Sequence, residues 1–323
     1  MFKAFKPTLA ASIIATTLSF GALAADLEKI HFLIPGGAGG GWDMTARGTG
    51  DALVKSDIVD KVSFQNLSGG GGGKAIAHLI ETAARQPDTL MVNSTPIVVR
   101  SLTGIFPQSF RDLTPVAATI ADYGAIVTSV DSKYQTWQDV VDEFKKNPRS
   151  VKIAGGSARG SMDHLVVAAA FKGEGFDAKA VRYIAYDAGG KAMAALLSGE
   201  TQLLSTGLGE VLEMSKGGQV KVLAVTAPKR LPAAPDIPTL VETGNQTVFA
   251  NWRGFFAAPG TSQAKIDEYN QALSKMYKTE QWAVVRDRNG WIDNYKPDQA
   301  FYSFLEDQEK QMGNLMRELG FLK

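Results

Sequence analysis

Ile30-His-Phe-Leu-Ile-Pro-Gly-Gly-Ala-Gly-Gly-Gly-Trp-Asp43 decides the fold: a short apolar run closes into a glycine-rich loop, and residues 43–54 follow with helical apolar spacing. The reading is strand, loop, helix. The same succession recurs at 89–93 before Ser94-Thr95-Pro96, at 150–154 before a second glycine loop, and at 181–185 before Asp187-Ala-Gly-Gly190. Strands alternating with helices at this spacing predict an α/β fold with mainly parallel sheets. Ligands of such sheets sit at the carboxyl ends of the strands, where these loops lie.

Further along, a strand at 220–226 is followed by a Pro-rich passage at 228–238, and residues 262–322 read as helices that pack back onto the first lobe. The central segment is then a second lobe inserted into the first. With crossovers near Ala125 and Ala250, residues 25–124 and 251–323 form lobe 1 and residues 125–250 form lobe 2. A chain of 323 residues with 45% apolar composition is long enough for two cores.

At the start, Lys3 and Lys6 precede an uncharged stretch, 7–25, that contains Ala22-Leu-Ala24. This is the pattern of a secretory signal peptide over residues 1–24, removed on export to the periplasm; a retained N-terminal anchor is the other reading. Its removal takes away two lysines and no acid, which leaves 32 basic against 33 acidic side chains, a net charge of −1. That balance offers nucleic acid or an anionic membrane no field, so an anionic ligand must be held by a local site. Cysteine is absent, which removes thiol catalysis, thiolate metal sites and lipid attachment through sulfur. No second apolar segment reaches spanning length, so the mature protein is expected to be soluble.

The densest candidate site is the first glycine loop, with Gly39, Gly40, Gly41, Trp42 and Asp43. Glycines let a ligand approach the amides closely, and helix N-terminal N–H groups favour an anion. Asp43 reads as the N-cap of the helix or as a ligand contact. The second loop, in the other lobe, offers Ser157, Ala158, Arg159, Gly160, Ser161 and His164 in the same strand-to-helix position. Single residues complete the set. Ser94 and Thr95 are caps or contacts, and Asp187 caps the helix after it or meets the ligand. The Gly189-Gly190 pair and the stretch 207–210 are further candidates. Arg253 either forks to a carboxylate with bidentate geometry or forms a surface or interlobe salt bridge.

Nucleotide binding fails on spacing. For G-x-G-x-x-G, the frame from Gly37 places Trp42 at the third glycine and the frame from Gly39 places Met44 there; Ser68 and Ala75 break a P-loop around residues 69–74. A nucleophile elbow at Ser157 would need a glycine where Arg159 stands. His31, His78 and His164 are scattered without metal-ligand spacing, so neither a metal nor any cofactor is expected. A periplasmic serine hydrolase or transferase, using Ser157 or Ser161 with His164, is the rival from another class. A ligand-sensing module for a sensor kinase is a third reading.

Taken in order, several motifs resemble the substrate-binding receptors of the tripartite tricarboxylate transporters, the Bug or TctC-type family. They are Ile34-Pro-Gly-Gly37 leading to Gly41-Trp-Asp-Met-Thr-Ala-Arg47, Asn66-Leu-Ser-Gly-Gly70, Phe144-Lys-Lys-Asn-Pro148, Gly156-Ser-Ala-Arg-Gly-Ser161 through His164-Leu165, and Tyr186-Asp-Ala-Gly-Gly190 with Leu196-Leu-Ser-Gly199. Leu223-Ala-Val-Thr226, Lys229-Arg-Leu-Pro232, Pro235-Asp-Ile-Pro-Thr239 and Gly254-Phe-Phe-Ala-Ala-Pro-Gly-Thr261 continue the match over nearly the whole mature chain. The resemblance implies a two-lobed periplasmic-binding-protein fold of type II, a Venus flytrap with a mainly parallel sheet in each lobe. It also implies a monomeric receptor that is not an enzyme, in which loops 39–43 and 157–161 hold a carboxylate through amides and waters. The implied partners are a large and a small integral membrane subunit driven by an ion gradient. Two departures stand out: Arg253, where many relatives have an aromatic or small residue, and Asp187-Ala-Gly-Gly190, where they have a Lys-Gly-Gly-Gly type loop. With Asp122-Tyr-Gly124 and the Trp42 loop, Arg253 makes the chain resemble the tricarboxylate receptors more than the amino-acid-binding members. The expected ligand is a di- or tricarboxylate such as citrate or a C4 acid.

Overall fold

β1 (Leu27–Ile34) is buried on both faces, and its alternation sorts side chains between two helical layers. Ile30, Phe32 and Ile34 enter one core and Leu33 another. The computed structural model describes Met1 and residues 27–323; the expected signal peptide, but for Met1, lies outside the described residues. α1 (Gly41–Lys55), β2 (Val59–Asn66), α2 (Gly73–Glu81), β3 (Thr89–Ser94) and α3 (Thr95–Thr103) follow, with β2, β1 and β3 paired in parallel. In β3 the same period-2 division holds: Leu90 and Val92 join the core under α1, and Met91 joins the core under α2 and α3. Each such buried side chain contributes about 1.5–3 kcal/mol relative to exposure.

β4 (Thr114–Ser129) is long enough to belong to two sheets. A second unit then repeats the pattern with α4 (Trp137–Lys146), β5 (Lys152–Gly155), α5 (Met162–Gly173), β6 (Arg182–Ala185), α6 (Gly189–Leu197), β7 (Leu203–Gly207), α7 (Leu212–Lys216) and β8 (Val220–Val225). β9 (Ala250–Ala257) returns the chain to the first sheet, and α8 (Gln263–Met276), α9 (Glu280–Arg288), β10 (Ile292–Pro297) and α10 (Asp298–Glu318) end it. The hydrogen-bonded path runs β2-β1-β3-β9-β4-β7-β5-β6, with β8 and β10 also on β4. The sheet is mixed rather than mainly parallel. β2-β1-β3 and β6-β5-β7 are parallel, but β4 and β9, which carry the chain between lobes in opposite directions, pair antiparallel with each other and with their other neighbours.

The tail differs from a set of helices on the first lobe. β10 is an antiparallel strand on β4, hidden in the sequence by its polar Asp293 and Asn294. α10 is 21 residues, about 31 Å long, and it crosses from one lobe to the other. Phe301 and Leu305 pack in lobe 1, whereas Met316 and Leu319 pack with Leu165, Val166 and Phe249. Among the described residues no helix is long and apolar enough to cross a membrane.

β4 changes partners between Tyr123, opposite Ala250, and Gly124, opposite Gly207. Three chain segments meet there and Thr226 laces them. Its hydroxyl accepts the Gly124 N–H at 2.8 Å and donates to the Phe249 carbonyl at 2.6 Å; the Thr226 N–H donates to Gly124 O at 2.8 Å. A Cβ at Gly124 would lie 2.8 Å from Val166 Cγ1, so no side chain fits at the crossing. Thr226→Val keeps the shape but strips the hydroxyl from buried partners, a loss of about 1–3 kcal/mol. Urea denaturation should show that loss; an unchanged midpoint would mean that the hydroxyl does not hold the crossing together.

Candidate functional site

The carboxyl ends of β1, β3, β5, β6 and β7 converge on one cavity of about 330 Å3 between the lobes. Of the residues singled out in the sequence, Gly40, Gly41, Trp42 and Arg253 line it from lobe 1, and Ser157, Ala158, Ser161 and Asp187 line it from lobe 2. The Trp42 indole N–H donates to Ser94 Oγ at 2.9 Å, which fixes the ring as a wall. Gly41 is glycine for room: a Cβ there would sit 2.0 Å from Arg253 Nη2.

Gly39, Asp43, Thr95, Arg159, Gly160 and His164 do not line the cavity. Gly39 is exposed with φ +76°, a turn residue that donates its N–H to Asp43 Oδ2 at 3.0 Å. Asp43 is not the N-cap, a place held by Gly40. Within the first turn it reaches back to Gly39 and also accepts from Arg47 Nε at 2.9 Å and Asn66 Nδ2 at 3.0 Å. Thr95 is fully buried behind Ser94, and its N–H donates to Asn251 Oδ1 at 3.3 Å. Arg159 points to solvent and Gly160 turns the chain at φ +79°. His164 accepts the Gly160 N–H on Nδ1 at 2.9 Å, with its ring packed between Tyr183 and Phe321. Burial, then the Arg159 charge, lowers its pKa to about 4, so it is neutral at pH 7. His164 Nε2 and Ser161 Oγ are each buried without a hydrogen-bond partner, so no serine is paired with the imidazole as a base.

Two carboxyls, Glu210 and Asp163, line the cavity, and a third, Asp122, is buried beside Arg253. Glu210, in the turn after β7, accepts from Thr206, from the Gly207 amide and, across the lobes, from the Gly41 amide at the start of α1. Arg253 places Nη2 3.8 Å from Glu210 Oε1 and 3.5 Å from Asp122 Oδ2, and Nη1 3.2 Å from Thr45 Oγ1. Arg253 thus sits in a buried interlobe ion pair through Nη2, while it still lines the cavity and its Nε has no partner. Asp122 is fully buried, and burial pushes its pKa up to about 7 against the pull of Arg253. Burial, then the Glu210 charge, raises Asp163 to about 7 while it accepts from Ser157 and the Gly156 amide. Some of the loop amides expected to face a ligand are thus turned to Asp163 and Glu210. Asp187 spans the rim: its Oδ1 accepts from Ser68 Oγ of the other lobe at 2.6 Å, and the N-cap of α6 is Ala188 instead.

Sequence reasoning missed Arg100, Ser68, Asp163 and Tyr186 as lining residues. Arg100 reads as one polar residue in the helical run Pro96-Ile-Val-Val-Arg100; its i, i+4 spacing from Pro96, which also lines the cavity, was the available signal.

Two solved structures share this arrangement of lobes. Rpa4515 of Rhodopseudomonas palustris, with adipate, matches with a TM-score of 0.81 at 20% identity, over 91% of this chain and 97% of that one. MatC of the same organism, with bound malate, matches with a TM-score of 0.76 at 19% identity, over 89% of this chain and 98% of MatC. The fold is that of a two-lobed periplasmic binding protein. Residues 46–321 match the tripartite tricarboxylate transporter family receptor, TctC, and the chain belongs to that family. Protein BugT of Bordetella pertussis is 25% identical over 300 residues, 91% of this chain and 90% of BugT. The chain is a substrate-binding receptor and not an enzyme.

Asp163 gives the site a measurable pH signature. Between pH about 4 and 7 the folded state keeps a proton that the unfolded chain has released, so stability from this group is greatest at low pH and falls as pH rises. Asp163→Asn removes that dependence. Relative to the parent, the variant should gain on the order of 2–4 kcal/mol between pH 4 and 8 in denaturant titrations; a constant difference would show that Asp163 is ionised throughout.

Proposed function

We propose that this receptor is exported to the periplasm, captures a small di- or tricarboxylate and delivers it to the two integral membrane subunits of a tripartite tricarboxylate transporter. The observation that carries the reading is a single cavity walled by strand-to-helix loops of both lobes, with Ser68 and Asp187 joined across its rim. The ligands of the structural relatives, malate and adipate, support the substrate class. Of the described residues, 27–124 with 251–323 move as one lobe and 125–250 as the other, turning at Gly124 and at Phe249–Ala250. The end of α10, docked beside α5, bends or slides with lobe 2. Only a ligand that contacts both lobes shifts that equilibrium, because one held by a single lobe binds open and closed forms alike.

Titration calorimetry and thermal shift with malate, adipate and citrate test this. At a hundredfold excess over Kd the bound acid stabilises the fold by about 2.7 kcal/mol, a rise of several degrees in Tm. Gly40 has φ −82° and only ordinary neighbours around an added Cβ, so Gly40→Leu should fold and yet block the cavity. Heat of binding in the parent and none in the variant is the expected pair of results. No response to any small carboxylate would end the assignment.

A further inference from the structure

Arg100 is the unusual charge in this molecule. It is 5% exposed, it lines the cavity, and its Nε is buried without a partner. No carboxylate of the described residues pairs with its guanidinium, whereas Arg253 in the same cavity, whose Nε is also without a partner, has Asp122 and Glu210 within 3.8 Å of its Nη2. The other acids of the cavity are engaged elsewhere. Glu210 is taken by Arg253 and amides, Asp163 by its loop, and Asp187 by Ser68 and Lys191.

The surroundings of Arg100 are shaped to hold it flat. Its guanidinium carbon lies 5.2 Å from the centre of the Phe106 ring, and the glycine run at 69–73 is moulded around the stack. A Cβ on Gly71 would fall 1.6 Å from Arg100 Nη2, and one on Gly73 would fall 1.9 Å from the Phe106 ring. Backbone alone can pass there. The run is therefore the saddle of a cation, which its sequence, a failed P-loop, did not disclose. Arginine stays protonated under these conditions even though burial lowers its pKa. A buried charge needs a counterion. In lobe 2, Ser161 Oγ is buried and unpartnered and lines the same space.

We propose that Arg100 is the residue that selects a second carboxylate: the ligand is a diacid with one carboxylate on the Arg100 guanidinium in lobe 1 and the other at Ser161 in lobe 2. This rests on the carboxylate-receptor reading above and narrows it, since a monoacid can occupy only one of these two ends.

The test is calorimetry of the parent, Arg100→Gln, Arg100→Lys and Ser161→Ala with two matched pairs, adipate against hexanoate and succinate against butyrate. In the parent the better diacid should bind at least thirtyfold more tightly than its monoacid. Arg100→Gln should reduce that preference to within about threefold, with Arg100→Lys between, because it keeps the charge and loses the fork. Ser161→Ala should weaken the diacid several-fold. Without ligand, Arg100→Gln should melt no lower than the parent, since it removes an unneutralised buried charge; a structural arginine would give the opposite. If the parent binds diacids and Arg100→Gln keeps the preference, this inference falls and the receptor reading stands. If the parent prefers monoacids, the inference falls likewise; if it binds no carboxylate, both fall.

Discussion

Charge buried between the lobes has to be neutralised on the spot, and that requirement separates the structural part of this cavity from the part left for a guest. Arg253 meets it with Asp122 and Glu210, and in doing so ties β9 to β4 and to the turn after β7. Removing one partner of such a set strands the others in low dielectric, so the cluster behaves as a unit. The same burial works against the charge on the acids: it raises Asp122, and Asp163 nearby, to about 7 and raises the pKa of Glu210. Arg100, by contrast, faces the cavity with no carboxylate partner among the described residues.

The loops that form the walls are placed by the topology. Parallel triplets in each lobe point their carboxyl ends inward because β4 and β9 pass through the junction in opposite directions, and Thr226 fixes where they cross. Close approach is bought at one place with backbone strain. Ala188 has φ +77° and ψ 160°, a region that glycine holds with ease and that costs other residues about 1–3 kcal/mol. Its Cβ reaches to 2.8 Å from where a Cβ on Gly37 would stand. A methyl group in that position limits how far the two loops can close.

Much of this was legible in the sequence, for physical reasons that can be named. The run at Ile30–Ile34 before its glycine loop, and its repeats, announced strands and the loops at their ends, because alternation and glycine are local signals. Ser157, Ser161, Trp42 and Gly41 reach the cavity by that logic alone. The antiparallel strand β10 carries no such signal, and the length of α10 says nothing of where its far end docks. The partners of Arg253 were hidden for another reason: Asp122 and Glu210 are 131 and 43 positions away. Whether an arginine forks to a ligand or to its own protein depends on contacts that only the folded chain brings together. That Asp163 and Glu210 accept from the Gly156, Ser157 and Gly41 amides of these loops was hidden for the same reason.

A near-neutral surface has a consequence for capture. With a net charge of +1 over the full sequence, the protein does not steer an anion from a distance, so selectivity has to arise after encounter. Within a desolvated cavity an unscreened guanidinium acts at full strength on whatever charge arrives, while the flanking loops, tied by their own carboxylates, supply shape and close contacts. Changing the residue at Arg100 would change the charge that the cavity requires and leave the hinge, the sheets and the interlobe cluster of Arg253 as they are. In a fold whose walls are backbone, charge preference can reside in one side chain, and the glycines at 69–73 record in the sequence the space that this side chain occupies.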